Sequence, residues 1–200
     1  MKKINYAIIL AILISVCSFN GVFAIGNNEK IQDLKTKNYI QGTPSGELLL
    51  KNSITRAQAI KLIVLANGDK DVAMGLQNTK SKYIDVNTDY WANGFINAAS
   101  TNPIDCNGQF IVHGYPCGKF LPDRNLSCAE FAKMLVILTD NTMTSDKIKE
   151  IDKMWPNSWI DEAKDKNIFN GINVPYENDE VNREIAFVMF YNALHNINLI

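Results

Sequence analysis

Gly114-Tyr115-Pro116-Cys117-Gly118-Lys119-Phe120-Leu121-Pro122-Asp123-Arg124-Asn125-Leu126-Ser127-Cys128-Ala129-Glu130 is the stretch on which the fold turns. It opens as a turn: Gly114 and Gly118 admit backbone angles that a side chain disfavours, and Pro116 fixes the chain between them. It closes as a helix start. Ser127 is an N-cap residue, and Glu130, three positions on, is placed to return a hydrogen bond to the cap's own N–H. A turn, a short extended piece and a capped helix therefore follow in order.

Two other segments repeat that order. Tyr39-Ile40-Gln41-Gly42 leads through Pro44, Gly46 and Leu48-Leu49-Leu50 to Ile54-Thr55-Arg56-Ala57-Gln58, with Thr55 as cap and Gln58 at the reciprocal position. Ile168-Phe169-Asn170-Gly171 leads through Pro175 to Val181-Asn182-Arg183-Glu184. The step from Gly42 to Arg56 and from Gly114 to Cys128 is 14 residues, and from Gly171 to Arg183 it is 12. Three copies of one pattern are an internal repeat, and small repeated units stabilise one another by stacking.

Helices are predicted over 30–38, 55–66, 127–139 and 183–196, and a further one from Asp89 carrying Trp91, Phe95, Ile96 and Ala99 on one face. Trp155, Trp159, Ile160 and Ala163 repeat that spacing. The second helix of each copy is apolar nearly all the way round over 60–65, 134–138 and 185–191, which a one-sided surface helix cannot be. Those three are expected to pack together as a central bundle, with the first helices and glycine turns outside. The fold class read from this is mainly α. The expected division is 1–24 signal peptide, 25–67 repeat 1, 68–82 linker, 83–140 repeat 2 and 141–200 repeat 3.

The signal reading of 1–24 rests on Lys2 and Lys3, the apolar run from Tyr6 to Val16, and Val22-Phe23-Ala24 at the cleavage position. Cys17 raises a lipoprotein alternative, but Val16 is bulky where a lipobox wants a small residue. No later stretch approaches the roughly 20 apolar residues of a membrane span. The chain holds 20 basic and 21 acidic residues, so without Lys2 and Lys3 the balance is about −3. That excludes a general nucleic-acid binder, which carries a basic stripe, but not a local cationic pocket.

The segment Tyr83-Ile84-Asp85-Val86, Asp89-Tyr90-Trp91-Ala92, Phe95-Ile96, Gly114-Tyr115-Pro116, Phe120-x-Pro122 and Leu126-Ser127-Cys128-Ala129-Glu130 resembles an S-layer homology module. Ile54-Thr55-Arg56-Ala57-Gln58 differs by one residue from that family's usual Ile-Thr-Arg-Ala-Glu. The resemblance covers nearly all of the chain after residue 25. It implies three modules in a pseudo-threefold unit, with the first and third degenerate, and grooves between them that bind secondary cell-wall polysaccharide, often bearing a pyruvate ketal. The family's binding residues fall here on Arg56, Asp85, Trp91, Gly114, Trp155 and Arg183. Copy one lacks the leading Asp and Trp, and copy two has Cys128 where the arginine belongs, so one or two competent grooves are expected.

The residues themselves allow both functional and plain readings. Arg56 and Arg183 directly follow a helix cap, where free N–H groups, the positive end of the dipole and a guanidinium fork together suit an anion, or where the arginine simply pairs with an Asp. Trp91 and Trp155 are flat apolar faces for a sugar ring or core residues at helical spacing. Asp85 accepts from sugar hydroxyls or caps a turn. Cys106, Cys117 and Cys128 all lie in the middle copy. A Cys106–Cys117 disulfide, stapling the loop 100–109 to the turn, is the first choice in an exported protein, and three free thiols are the alternative. The Cys and His113 spacing matches no zinc pattern, and no metal or cofactor is expected. No paired carboxylates or nucleophile with a base stand out, so an enzyme is not expected. The expected protein is secreted to the bacterial cell wall or surface layer, with wall polysaccharide and other surface-layer proteins as partners. The alternative is a secreted structural or interaction protein of the same fold that no longer binds the wall.

Overall fold

A computed structural model of the chain describes residues 25–101, 110 and 112–200. The expectations for 1–24 and for Cys106 lie outside these residues. Among the described residues eight α-helices follow in order: α1 (Asn27–Thr36), α2 (Arg56–Ala66), α3 (Lys70–Gly75), α4 (Asn93–Thr101), α5 (Cys128–Thr139), α6 (Ser145–Asp152), α7 (Asn157–Asp165) and α8 (Arg183–Asn196). Among the described residues the only β pairing is three isolated antiparallel bridges.

The helix starts form as the sequence predicts. Thr55 accepts from the Gln58 N–H and Ser127 from the Glu130 N–H, and both boxes are reciprocal. Asn182 caps α8 by accepting from the Ile185 N–H at 2.9 Å. Trp91 lies in the turn before α4 and Trp155 in the turn before α7, rather than on helices as predicted. The segment 68–82, read as a linker, carries α3, which packs against α4.

The three bridges organise the molecule. Thr55 pairs with Asn125, Ser127 with Glu180, and Asn182 with Ser53, so each cap residue pairs with the residue two before the next copy's cap. Between them Ile54 donates its N–H to Val181, Val181 to Leu126 and Leu126 to Ile54, each at 3.0 Å, which closes a three-membered backbone ring. All three side chains are fully buried. The same cycle satisfies the first helical turns. Arg56, Cys128 and Arg183 donate their N–H groups to the carbonyls of Arg124, Asp179 and Asn52, and Ala57, Ala129 and Glu184 donate theirs to Pro122, Glu177 and Leu50. Each helix start thus has its otherwise orphan donors taken by a neighbouring copy's loop.

Outside the ring, each first helix packs on the second helix of the preceding copy: α4 on α2, α7 on α5, and α1 on α8. The described chain therefore closes on itself. Lys30 on α1, almost fully buried, donates to the Asn170 carbonyl at 3.0 Å and to Asn192 Oδ1 at 2.8 Å, and its burial lowers its pKa. The expected central bundle is uneven. α5 packs against both α2 and α8, whereas α2 and α8 are joined through the residues leading into them, with the polar pair Arg183 and Gln58 between. Phe131, Leu135 and Phe190 are fully buried, worth about 1.5–3 kcal/mol each.

At the end of α5, Asp140 accepts from the Thr142 N–H and hydroxyl and from the amines of Lys147 and Lys166. Burial by itself would raise its pKa; these bonds outweigh it and hold the carboxyl well below the usual carboxylate range. A depressed folded-state pKa contributes stability above the unfolded value of about 3.8 that is lost as pH falls through the folded one. Asp140→Asn is expected to lower the melting temperature at pH 7, with the two proteins converging below about pH 4. Thermal unfolding across pH 2–7 checks this, and parallel curves would refute it.

Candidate functional site

Two cavities occupy equivalent places in the cycle. In the first, of about 300 Å³, Arg183 of α8 meets Gln58 and Lys61 of α2, the turn around Gly42, and Trp91. In the second, of about 220 Å³, Arg56 of α2 meets Glu130 and Lys133 of α5, the His113–Tyr115 side of the Gly114 turn, and Trp155. Each cavity thus draws on three copies: an arginine from one, a turn and helix face from the next, and a tryptophan from the one after. Trp91 is 49% and Trp155 43% exposed, which separates both from the wholly buried Trp159 and makes them surface faces rather than core.

The arginines are held alike. Arg56 Nε donates to the Phe120 carbonyl at 3.0 Å and Arg183 Nε to the Leu48 carbonyl at 2.7 Å, seven residues before the respective caps. Arg56 Nη2 also reaches the His113 carbonyl at 3.3 Å, and its guanidinium lies 4.7 Å from the Phe120 ring centroid and 5.3 Å from that of Tyr115. Arg183 Nη1 donates to Gln58 Oε1 at 3.0 Å and packs over Phe187. Neither pairs with a carboxylate among the described residues. Burial lowers the pKa of both.

The helix-terminus part of the expectation is corrected. The N–H groups of the first two residues of α2 and α8 are committed to carbonyls of the ring, and that of the third to the cap side chain. Little of the backbone is left for an anion, so recognition falls to side chains. Asp85 sits apart from both cavities in its bonding: its two oxygens accept from the N–H groups of Phe120 and Leu121 at 2.7 and 2.8 Å. It fixes the turn whose carbonyl holds Arg56. Gly114 is required for space rather than for its backbone angle, since a Cβ there would lie 2.2 Å from Tyr83 Cε1 and 2.9 Å from the Lys119 carbonyl; Gly118, at φ +75°, does need the glycine freedom. Cys117 is a free, exposed thiol among the described residues, and its expected partner Cys106 lies outside them.

The cavities differ in charge. Around Arg56, Glu130 pairs with Arg124, and Lys133 bonds Asp152 at 2.7 and 2.9 Å while lying over the Trp159 ring. That groove has its lysine and its glutamate already paired, which leaves the Arg56 charge alone. Around Arg183 the matching positions are the neutral Gln58 and Lys61, which has no hydrogen bond or ion pair among the described residues. Burial first, and the Arg183 charge second, lower the Lys61 pKa. At the third equivalent place stand Cys128, Ile185 and Val188. Cys128 and Val188 are fully buried, and burial, with help from Glu177 and Asp179, pushes the Cys128 thiol up to about 12. None of these three positions supplies a cation. Lys61 and Lys133 escaped the sequence reading, although both lie six residues after a cap, a signal that superposing the copies would reveal.

No family model matches the chain. Over 164 residues, 82% of the chain, it is 31% identical to the middle cell wall protein of Brevibacillus brevis and, over the same length, 31% identical to the surface layer protein of Brevibacillus choshinensis. Over 140 residues it is 26% identical to the cellulosome-anchoring protein of Acetivibrio thermocellus. The chain spans only 14%, 13% and 30% of the length of these relatives. They define a class, the bacterial cell-surface proteins of the wall or surface layer. Within that class the chain is placed among the S-layer homology proteins.

Proposed function

We propose that the chain binds an acidic, ketal-pyruvylated wall polysaccharide, and that the groove of Arg183, Lys61 and Trp91 is its principal site. The observation that supports this is two cations sharing a half-buried cavity with no carboxylate paired to either, beside an exposed indole. Like charges held together cost free energy that an anion entering the cavity offsets, and the guanidinium fork suits a carboxylate. The indole face suits the apolar side of a sugar ring. The Arg56 groove, with its lysine and glutamate already paired, is the weaker site and takes a less charged sugar.

Calorimetric titration with isolated wall polysaccharide, before and after mild acid removes the ketal, tests the reading. Binding is expected to the native polymer, to weaken as salt is raised, and to fall sharply once the carboxylate is gone. Equal binding to both polymers would rule out the anionic recognition.

A further inference from the structure

The Arg183 cavity does not end at Trp91. A second cavity, about 680 Å³, shares Tyr39, Gln41, Lys61 and Trp91 with it and continues past them to Leu65, Phe95 and Lys70. Trp91 thus stands between two spaces rather than at the rim of one. Leu65 and Phe95 supply an apolar floor. Lys37 at the edge is paired with Asp33 at 2.6 Å, but Lys70, the first residue of α3, is exposed and makes no hydrogen bond or ion pair among the described residues. Along both cavities the lining carries Lys37, Lys61, Lys70 and Arg183 against the single acid Glu47.

We propose that this second cavity is a further saccharide subsite, so that the cleft takes at least two consecutive sugars, one packed on each side of Trp91, with a second anionic substituent within reach of Lys70. The inference rests on the reading of the Arg183 groove. It specifies the ligand as a repeating acidic polymer rather than one acidic terminal sugar. A cleft that engages successive repeats holds a polymer more tightly than its monomer, because the second contact adds without a second loss of rigid-body freedom.

The test uses two ligands, a ketal-pyruvylated N-acetylhexosamine monosaccharide and the native acidic polysaccharide, with the wild-type protein, Lys70→Glu and Lys70→Gln. Lys70 is exposed at a helix start, where an acid is favourable, so both variants fold. At low salt, Lys70→Glu is expected to weaken polysaccharide binding about three- to five-fold, Lys70→Gln by less, and neither to change monosaccharide binding. If the wild type binds both ligands and neither variant changes the preference for the polymer, the second subsite is refuted while the Arg183 groove stands. Binding of neither ligand by the wild type would refute the groove itself and the subsite with it.

Discussion

Gly94→Ala is expected to destabilise the protein by about 3 kcal/mol or more, lowering the melting temperature by roughly 6–12 °C for a chain of this size. Gly94 lies in the first turn of α4, where a Cβ would sit 2.0 Å from the Ala73 carbonyl oxygen and 3.0 Å from both Ala73 C and Gln77 Cα. These are backbone atoms, and they cannot give way as the end of a side chain can. The approach is locked by amides. Asn93 Nδ2 donates to the carbonyls of Gln77 and Thr79, Gln77 Nε2 to the Tyr90 carbonyl, and the Gly94 N–H to Gln77 Oε1. Forcing α3 and α4 apart breaks this set and shifts Trp91, three residues earlier, so binding at the Arg183 groove falls as well. Gly75, on the partner helix, has nothing within 4 Å of its Cβ position. Gly75→Ala is therefore expected to stabilise by about 0.4–1 kcal/mol. Opposite signs for two glycines of one helix pair are the result to look for in denaturant unfolding; matching signs would show that α3 and α4 do not meet as described.

That contact marks where sequence reading ran out. The copy pattern was legible because caps and turn glycines are local: Thr55 with Gln58 and Ser127 with Glu130 announce helix starts within four residues. The polar run 68–82 has no such signal, and α3 is stabilised by its packing on α4 rather than by its own periodicity. Nor does the sequence show that first helices pack on the preceding copy's second helix, since that depends on pairing of residues far apart in the chain. The same holds for the ring through Ile54, Leu126 and Val181, which read only as the residues leading into the helix starts. For the site, residue types were legible and partnerships were not. Trp91 and Arg183 were both singled out, yet 92 positions separate them and only the fold puts them on one cavity. Asp85 carried the family's pattern but serves the backbone of Phe120 and Leu121. Free N–H groups at the helix tips were expected because the helices were read one at a time, whereas neighbouring copies take up those donors.

Arg183→Ala and Arg56→Ala are expected to separate binding from stability, although the two arginines occupy equivalent positions. Arg183 spends Nε on the Leu48 carbonyl and Nη1 on Gln58 Oε1, and its remaining N–H groups face a cavity it shares with Lys61. Removing it takes away the charge-assisted bond to the anion, about 1.5–3 kcal/mol, so affinity for acidic wall polysaccharide is expected to fall roughly 10- to 150-fold. It also relieves the repulsion on Lys61, which offsets part of the folding cost. Arg56 is only 5% exposed, bonds two carbonyls and packs on two rings. Its loss leaves the buried Phe120 carbonyl unsatisfied at about 1–3 kcal/mol, so Arg56→Ala is expected to lose more stability than Arg183→Ala and less affinity. Arg183→Lys keeps the charge without the fork and should fall between wild type and alanine. Titration calorimetry beside thermal unfolding gives both numbers for each variant. Wild-type affinity in Arg183→Ala, or abolition of binding by Arg56→Ala alone, would move the anion site from the Arg183 groove to the Arg56 groove.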